Sequence, residues 1–552
     1  MHRRIWIPAL RSILCAFLFC VTICAQSDVS PSAVVSPVEA AKWREDLRFM
    51  AQEMPKRHKN LFHSMTREQF ESAVRKLDER IPTLARHQII VEMMRIAAMV
   101  GDGHTSLNPQ FNPKIEFRYY PITLYLYKDG LFIQSADPKY ANAVGARVLK
   151  IGKTPAEQAF KMVSEVTSRD NEMTLKQRVP SLMTIPEVLH ALGLIDNMEK
   201  ASFVVEENGK QTTIGLAPAG KLPSMHDKDP RQVWVKMNDG ARSPVPLWQK
   251  ATQDNYWFEY LEDSRTIYVQ YNQVANKPGE SIAQFAHRVF EFVNTHPIDR
   301  FILDVRLNQG GNGFLNMPLL LGLIKSEKIN QRGRLFTIIG RSTFSAAQSL
   351  ANELERYTNT LFAGEPTGAR VNGYGDHEMI LLPNSGLTVS VAPTWYQTAN
   401  PNDQRPWIAP QIATELTSED YRTNNDPALN AVFNYRSIAD MLMPTLQAND
   451  IQLTIKQYHE FKADNKTSPI NTESEINSLG YRLLAMNRLE QAIEIFKLNV
   501  ESYPNSSNAY DSLAEAYLKN GNKELAIKNY RRSVELNPAN LNALQRLKEL
   551  ER

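Results

Sequence analysis

The chain has 552 residues, which is too many for one hydrophobic core, since single cores stop growing at roughly 250 to 300 residues. Its 63 Lys and Arg residues against 60 Asp and Glu residues give a formal net charge of +3, and Arg3, Arg4 and Arg11 lie in a start that contains no acid. The remainder is close to neutral, which argues against nucleic acid or an anionic membrane as the partner.

The chain begins with the features of a secretory signal peptide. A basic start is followed by an apolar stretch from Ile13 to Ile23 and by a small residue, Ala25, at which a signal peptidase could cut. The alternative is a membrane anchor, but the apolar stretch is shorter than the roughly 20 residues of a spanning helix. We therefore expect residues 1–25 to be removed, the protein to be periplasmic or extracellular, and no stable membrane span to be left.

The pattern of cysteines and histidines does not indicate metal chemistry. All three cysteines lie inside the predicted signal peptide, at Cys15, Cys20 and Cys24. The mature chain would have no thiol for a disulfide, a nucleophile or a zinc ligand. The eleven histidines are scattered without a His-Glu-x-x-His spacing, so we expect no metal and no other cofactor.

Two small regions precede the largest one. Residues 38–110 are predicted to form a helical domain, because stretches such as WREDLRFMAQEM have apolar residues at helical spacing. From about Phe117 the pattern changes, and FRYYPITLYLYKDGLFIQSA alternates on both sides of a Lys-Asp-Gly turn, which predicts a hairpin. With ASFVVEENGKQTTIGL further on, residues 115–220 are expected to form a β-rich module.

Residues 250–420 are expected to form an α/β domain. Short apolar strand candidates, TIYVQY, FILDVRL, RLFTIIG, TLFAGE, EMILL and LTVSVAP, are interspersed with helical patterns such as FSAAQSLANELERY. Strands alternating with helices of that length predict a largely buried sheet covered by helices. The fold class is therefore α/β within an α+β multidomain chain.

The end of the chain repeats with a period of 34 residues. Leu479, Gly480, Ala492, Phe496 and Pro504 recur as Leu513, Ala514, Ala526, Tyr530 and Pro538. These offsets are those of tetratricopeptide repeats, which consist of two helices each. We expect two repeats and a capping helix in residues 473–552. Two repeats are fewer than the usual three, so support from the α/β domain or from a protein partner is expected.

Three segments are unusual for pure packing. VGDGHTSL places His104 in a turn, DVRLNQGGNG places Gly310 and Gly311 after a buried strand, and GRSTFSAAQSLANELE places Ser345 in the first turn of a helix. A double glycine can present free amides to an oxyanion, and a helix start favours negative charge. The structural alternatives are a structural histidine, a tight turn and a helix cap. Gly-x-Ser-x-Gly and Ser-x-x-Lys motifs do not occur.

Taken together, these segments resemble the carboxy-terminal processing, or tail-specific, family of serine peptidases. VGDGHTSL, DVRLNQGGNG, STFSAAQ and LFAGEPTGA occur in the family's order and approximate spacing, between about Ala41 and Leu416. The resemblance implies a helical amino-terminal region, a PDZ-like module over residues 115–220 and a crotonase/ClpP-like catalytic core. AVGARVLKIGKTPAEQ is similar to the later half of such a module, but no clear carboxylate-binding loop is present.

The resemblance also implies roles for individual residues. Ser345 falls on the nucleophile position, and the amides of Ala346 and of the double glycine, Gly310 and Gly311, fall on the oxyanion hole. The better-known branch of the family has a lysine base after Gly-Glu-Pro-Thr, where this chain has Arg370, and an arginine stays protonated.

The sequence instead resembles the branch of the tricorn-protease core and the interphotoreceptor retinoid-binding proteins. In that branch a histidine from the upstream turn activates the serine, and His104 fits that position. The histidine needs an acid, for which we expect Asp403 in WYQTANPNDQRPWIAP or, second, Asp376 in GYGDHE. An ion pair between Asp403 and Arg405 is the structural alternative.

The sequence thus predicts an exported serine peptidase that hydrolyses peptide bonds in peptides or proteins by a Ser-His-acid mechanism through an acyl-enzyme. The alternative from another class is a secreted binding or scaffold protein of the same fold without hydrolysis, whose tetratricopeptide repeats bind a partner. A peptidase that depends on an unrecognised lysine is a third possibility. The choice between free protein tails and short peptides as substrates is left open by the sequence.

Overall fold

The structure is a computed structural model that describes residues 33–223, 230–464 and 472–551. The predicted signal peptide and its three cysteines lie outside the described residues, so the predicted export stays a prediction. Within those ranges, no helix combines the length and the apolar character that crossing a membrane requires.

The amino-terminal region is helical, and capping residues determine where its helices begin. It contains α1 (Pro37–Arg57), α2 (Arg67–Arg80) and α3 (Arg86–Ala98). At the start of α1, the Ser36 hydroxyl accepts from the Glu39 amide, and the Glu39 carboxylate accepts from the Ser36 amide at 2.9 Å. Thr66 and Gln69 cap α2 in the same way. The apolar faces of the three helices contribute to one hydrophobic core that also includes the β-rich module.

The β-rich module follows with short strands and three helices. The strands are β1 (Arg118–Tyr119), β2 (Ile122–Tyr127), β3 (Gly130–Ala136), β4 (Arg147–Ile151), β5 (Thr154–Pro155), β6 (Ala201–Glu207), β7 (Lys210–Leu216), β8 (Gly220–Lys221) and β9 (Val235–Lys236). The helices are α4 (Ala156–Ser164), α5 (Glu172–Leu182) and α6 (Pro186–Ala191). The main sheet has the order β2-β3-β4-β6-β7. The predicted hairpin is β2–β3, in which Tyr127 lies opposite Gly130 across the Lys-Asp turn.

The α/β domain contains a six-stranded sheet. Its region has the strands β10 (Tyr256–Leu261), β11 (Thr266–Tyr271), β12 (Arg300–Asp304), β13 (Leu335–Ile339), β14 (Leu361–Gly364), β15 (Asn372–Gly375), β16 (Glu378–Leu381), β17 (Thr388–Val391), β18 (Thr394–Gln397) and β19 (Ile412–Ala413). The helices are α7 (Leu247–Lys250), α8 (Ile282–Thr295), α9 (Met317–Lys325), α10 (Ala346–Tyr357), α11 (Ser418–Arg422) and α12 (Pro427–Asn434).

The six-stranded sheet is buried on both faces, as the sequence predicted. Its order is β10-β11-β12-β13-β14-β19, with only β10 antiparallel to its neighbour. Alternating side chains of the central strands enter two hydrophobic clusters, one with α8, α9 and α10 and the other with α12. The carboxyl ends of parallel strands therefore point to one edge of the sheet, where the connecting loops gather.

Two antiparallel ribbons leave the sheet of the α/β domain. Strand β15 pairs with β18, and β16 pairs with β17. From the second ribbon, Ile380, Val389 and Val391 lie in the hydrophobic core of the amino-terminal region. The sequence placed EMILL and LTVSVAP in the buried sheet, but a short apolar run does not reveal which sheet it joins. The ribbon also exchanges backbone hydrogen bonds of 3.0 and 2.8 Å between Ser390 and Ser106, so it holds the segment after α3.

The carboxy-terminal part is a helical array. It contains α13 (Ile438–Gln447), α14 (Ile451–Asp464), α15 (Glu473–Ala485), α16 (Leu489–Ser502), α17 (Ser507–Lys519), α18 (Lys523–Leu536) and α19 (Leu541–Leu550). The two predicted repeats are α15–α16 and α17–α18, and α19 is the predicted capping helix. A Cβ on Gly480 would lie 2.5 Å from the Phe496 ring, which explains the small residue where the helices touch.

The array receives the support that two repeats lack. The helices α13 and α14 share a hydrophobic core with α15, α16 and α17, so they act as a third helical pair that the 34-residue period did not reveal. The array is also fixed to the α/β domain through the buried carboxylate of Glu475. This carboxylate accepts from Arg332 Nε at 2.6 Å, from the Tyr435 hydroxyl at 2.9 Å and from the Ile438 amide at 3.1 Å.

Candidate active site

Two side chains that are 241 residues apart in the sequence meet at the edge of the sheet of the α/β domain. The Nε2 atom of His104 lies 3.1 Å from the Oγ atom of Ser345. His104 is only 5% exposed. A hydroxyl and an imidazole at this distance can exchange a proton, and their meeting is what the sequence motifs predicted.

Ser345 lies on a strained turn between β13 and α10. Its backbone has φ 54° and ψ −124°, a region that residues with a side chain rarely adopt. The turn is held by hydrogen bonds from the Phe344 amide to the Asn308 carbonyl at 3.1 Å and from the Thr343 hydroxyl to the Val305 carbonyl at 2.9 Å. The Ser345 side chain accepts no amide of α10, so the helix-cap alternative does not describe its geometry.

The double glycine packs directly against the serine turn. Gly310 has φ +103° and Gly311 has φ +136°. A Cβ on Gly310 would lie 2.7 Å from the Cβ of Ser345 and 2.9 Å from the amide nitrogen of Ala346. A Cβ on Gly311 would overlap the Val274 carbonyl. Both positions therefore require glycine, for conformation and for space.

The three predicted oxyanion donors differ in what their amides contact. Among the described residues, the amides of Gly311 and Ala346 have no acceptor. The Gly310 amide instead donates to the side-chain oxygen of Asn308 at 2.8 Å. Gly310 can join an oxyanion hole only when this side chain gives way, whereas the other two amides are available as they stand.

The turn with His104 is held by two buried carboxyl groups. Oδ1 of Asp102 accepts from the amides of His104 at 2.9 Å and of Thr105 at 2.6 Å. Oδ1 of Asp170, just before α5, accepts from the Gly103 amide at 2.6 Å. Three successive amides thus end on carboxyl oxygens, which satisfies buried donors that have no strand or helix to pair with.

The environment of His104 keeps its imidazole neutral. Burial, followed by the charge of nearby His377, lowers the pKa of His104 to about 4, while Asp102 and Asp376 act in the opposite direction. The ring stacks on Phe344 with centroids 4.7 Å apart. A neutral imidazole can accept the Ser345 proton at Nε2 when Nδ1 bears the hydrogen. No hydrogen-bond partner lies against that Nδ1 among the described residues.

The structure does not bring the predicted acid, Asp403, to His104. Its carboxylate is bound by Arg405, with Oδ1 3.0 Å from Nε and Oδ2 2.7 Å from Nη2. Arg405 lowers the pKa of Asp403 through these bonds. This ion pair is the structural alternative considered from the sequence. It forms because a guanidinium two residues away offers the carboxylate two charged donors, more than a neutral imidazole can offer.

The second choice, Asp376, lies nearer to the histidine without bonding to it. Its Oδ2 accepts from the Tyr396 hydroxyl at 2.8 Å, and its charge contributes to raising the pKa of His104. A Cβ added to the adjacent glycine, Gly375, would lie 4.0 Å from the Cε1 atom of His104. Asp376 therefore acts on the imidazole through its charge.

Sequence reasoning missed several neighbours of the two central side chains. The ring of His377 lies 5.2 Å from that of His104, and its Nδ1 lies 2.9 Å from the Ser390 hydroxyl. Asp102 was visible in VGDGHTSL, two residues before the histidine, and its short distance in the chain was the available signal. Asp170 comes from the β-rich module and had no signal in the sequence.

Comparisons with known proteins agree with this fold. A family model described as tetratricopeptide repeat matches residues 507–540. No curated protein matches the sequence. The structure of mature CPAF complexed with lactacystin is 12% identical, covers 75% of this chain and 100% of its own, and gives a TM-score of 0.50. A CPAF mutant is 10% identical, covers 72% and 99%, and gives 0.51.

A photosystem II D1 C-terminal processing protease also aligns. It is 13% identical and covers 72% of this chain and 100% of its own, with a TM-score of 0.34. The structural neighbours are thus CPAF and C-terminal processing proteases. The likeness to CPAF confirms the predicted mixed α/β fold, and the family model confirms a tetratricopeptide repeat near the carboxyl end. At these identities the likeness shows the fold alone.

Proposed function

We propose that this chain is a serine peptidase in which Ser345 is the nucleophile and His104 the general base. The observation on which the proposal depends is the 3.1 Å contact between the two side chains, made by a serine in a strained backbone conformation. Strain of this kind persists only where the surroundings enforce it, and it clusters at reactive sites. The fold shared with CPAF supports a peptidase rather than another hydrolase.

The reaction follows from the positions of the atoms. Ser345 Oγ attacks the carbonyl carbon of a peptide bond while His104 Nε2 takes the hydroxyl proton. The amides of Gly311 and Ala346 donate to the oxyanion that forms. The C–N bond then breaks, and His104 returns the proton to the leaving amine. Water, deprotonated by the same imidazole, attacks the acyl ester and releases the acid and the free serine.

Ser345 and His104 act as a dyad, supported by nearby carboxylate charges, in place of the Ser-His-Asp403 triad expected from the sequence. Asp403 is paired with Arg405, and Nδ1 of His104 has no described partner. Asp376 and Asp102 favour the imidazolium electrostatically. With a pKa of about 4, His104 is in its basic form throughout the neutral range.

A second candidate function, binding without hydrolysis, is favoured by one observation. The Gly310 amide is engaged by the side chain of Asn308 at 2.8 Å, so one of the predicted oxyanion donors is occupied. In that case the tetratricopeptide repeats would bind a protein partner and the dyad would be inactive. Among the residues that the structure describes, the amides of Gly311 and Ala346 have no acceptor, which favours the peptidase.

The test is labelling with a fluorophosphonate probe, which reacts with activated serines. We expect the wild-type protein to be labelled, Ser345→Ala to be unlabelled, and Ser349→Ala, one turn further along α10, to be labelled like the wild type. Labelling that survives Ser345→Ala, or a wild-type protein that never reacts, would favour the binding protein. Mass spectrometry of products from peptides with free and amidated carboxy termini then identifies the substrate class.

We also propose that the peptidase is exported. The support is the basic, apolar and small-residue order of the first 25 residues. Mass spectrometry of the mature protein from the periplasmic or extracellular fraction should find Gln26 at its amino terminus. Full-length protein in the membrane fraction would instead indicate an anchor.

A further inference from the structure

The Asp102 carboxylate also contacts a residue outside the histidine turn. Its Oδ1 accepts the amides of His104 and Thr105, and its Oδ2 lies 3.0 Å from Nε2 of His58. The side chains of His58 and Asp102 are 0% and 3% exposed, so their contact is shielded from water. His58 follows the last residue of α1, far from the α/β domain in sequence.

The tautomer of His58 is fixed by the backbone. The Asn60 amide donates to Nδ1 of His58 at 2.9 Å, so Nδ1 bears no hydrogen. In the neutral ring the hydrogen must then be on Nε2, which donates to Asp102. The hydrogen bonds thus run in one direction, from the Asn60 amide through the imidazole to the carboxylate, which receives the two amides of the histidine turn on its other oxygen.

The same side chains have the spacing of a metal site, but their protons argue against one. Ligand atoms of His58, His63 and Asp102 lie within 4.8 Å of one another. A metal would need the lone pair of His58 Nε2, yet that atom carries the hydrogen while Nδ1 accepts from the Asn60 amide. The cluster is therefore better explained as a support for the turn.

We propose that Asp102 is a positioning residue for His104, and that His58 keeps Asp102 in place, so that the end of α1 is part of the machinery that aims the base at Ser345. The inference rests on the proposed function for its catalytic meaning. Its physical basis is independent, because the amides of His104 and Thr105 both end on this carboxylate.

The charge of Asp102 agrees with this role. Burial alone would raise the pKa of Asp102, but the hydrogen bonds from His58 and Thr105, with the His63 ring 3.9 Å away, hold it well below the usual range for a carboxyl. The group therefore stays ionised and keeps accepting amides at every pH at which the protein would be assayed. A carboxylate with fixed acceptors is a stronger anchor for amide donors than a neutral amide side chain.

The experiment compares three variants in the full chain by fluorophosphonate labelling at pH 7. His58→Gln retains a donor in place of Nε2 and should stay within about threefold of the wild-type rate. His58→Leu fills the space without a donor and should lose about tenfold. Asp102→Asn places an NH2 against the His58 donor or removes the acceptor from the turn, and should lose about a hundredfold, since a misplacement of about 1 Å has effects of that size.

Hydrogen exchange of the turn distinguishes this inference from the proposed function. The amides of His104 and Thr105 should exchange faster in His58→Leu and Asp102→Asn, and should be unchanged in His58→Gln and Ser345→Ala. If the wild type reacts but Asp102→Asn and His58→Leu react and exchange like it, the positioning role is wrong while the peptidase stands. If the wild type never reacts, exchange alone decides whether Asp102 holds the turn.

If Asp102→Asn does not fold, the comparison of His58→Gln with His58→Leu still tests the inference. Equal losses in His58→Gln and His58→Leu would overturn the inference, because a donor would then not matter. Rescue by His58→Gln alone supports it, since a merely space-filling role would be served equally by leucine.

Discussion

The two turns that meet in the candidate active site are built differently. The serine turn is fixed mainly within the α/β domain, by a strained backbone at Ser345 and by the close approach of Gly310, with one bond from Arg341 to the Leu126 carbonyl of the β-rich module at 2.7 Å. The histidine turn is fixed by side chains from elsewhere: Asp102 with His58 from the end of α1, and Asp170 from the β-rich module. The nucleophile therefore depends mainly on the α/β domain, whereas the base depends on how several regions pack together.

This difference has a physical cause. Amides in a buried turn without a strand or helix must find acceptors, because an unpaired buried donor costs about 1 to 3 kcal/mol. At Ser345 the strand and the helix on either side supply most of the order. At His104 the neighbouring chain supplies little, so carboxyl groups take that part. Changes in the serine turn should be felt in the reaction first, and changes around the histidine turn in both reaction and folding.

The largest expected effect is removal of the base itself. His104→Gln should lower the fluorophosphonate labelling rate by about a thousandfold, because a positioned general base contributes on the order of 10² to 10⁴. The rate is measured by gel fluorescence at pH 7. His287→Gln, on the exposed side of α8, should leave it unchanged. Labelling of His104→Gln at the wild-type rate would mean that another group, such as a lysine, activates the serine.

The second effect tests how rigidly the serine turn is built. Gly310→Ala should reduce labelling about a hundredfold or more, because its Cβ would lie 2.7 Å from that of Ser345 and 2.9 Å from the amide nitrogen of Ala346, and would displace this oxyanion donor. Gly313→Ala is the matched control, since its Cβ would lie 3.7 Å from that of Ala346, an ordinary contact. Equal labelling of the two variants would show that the serine turn tolerates a shift and is less rigid than its backbone indicates.

A smaller effect concerns folding around the histidine turn. Burial, with the charge of Asp102, raises the pKa of Asp170 to about 6, so the folded state favours the protonated form. Stability from this group is therefore present at low pH and is lost as the pH rises through about 6, by up to about 3 kcal/mol. Asp102 does not titrate in this window, since its pKa is held well below the usual range.

Urea unfolding at several pH values between 4 and 8 measures this loss. Asp170→Asn should flatten the decrease in the free energy of unfolding, whereas Asp440→Asn, at an exposed position of α13, should keep it. A wild-type free energy of unfolding that does not fall over this range would show that Asp170 is ionised and paired in the folded protein.

The smallest effect lies in the pH dependence of the base. His377 lowers the pKa of His104, as Arg178 does, while Asp102 and Asp376 raise it. His377→Gln removes one of the lowering charges, so the pKa of His104 should rise from about 4 by less than about one unit. The acidic limb of labelling against pH should move to higher pH by that amount. If the acidic limb stays where it is, or moves to lower pH, His377 does not lower the pKa of His104.

How far the sequence predicts the site differs between the two turns. Motifs in a fixed order predicted His104 and Ser345, because a nucleophile, its base and the free amides each lie in a short segment with a recognisable sequence. The ion pair of Asp403 could not be weighed from sequence, since the competition between Arg405 and an imidazole depends on their positions in space. No sequence motif indicated His58, because it meets its partner Asp102 only in the folded protein.

The fold was predicted to a similar depth. The patterns in the sequence predicted the helical region, the β2–β3 hairpin, the largely buried sheet and the two repeats. They did not predict the helices α13 and α14, which stand outside the 34-residue period, nor the place of the β16–β17 ribbon. Both omissions concern which elements pack together, and short apolar runs carry no information about that.

The ribbon has a consequence for how the protein is made. Ile380, Val389 and Val391 complete the hydrophobic core that begins with α1, so that core is unfinished until the chain is synthesised past residue 391. Ser345 has already left the peptidyl-transferase centre by then. The sheet of the α/β domain is itself completed only by β19 and α12, so neither half of the dyad is complete when residue 391 is made. Because domains fold as units during synthesis, a nascent fragment ending before β17 has no assembled dyad.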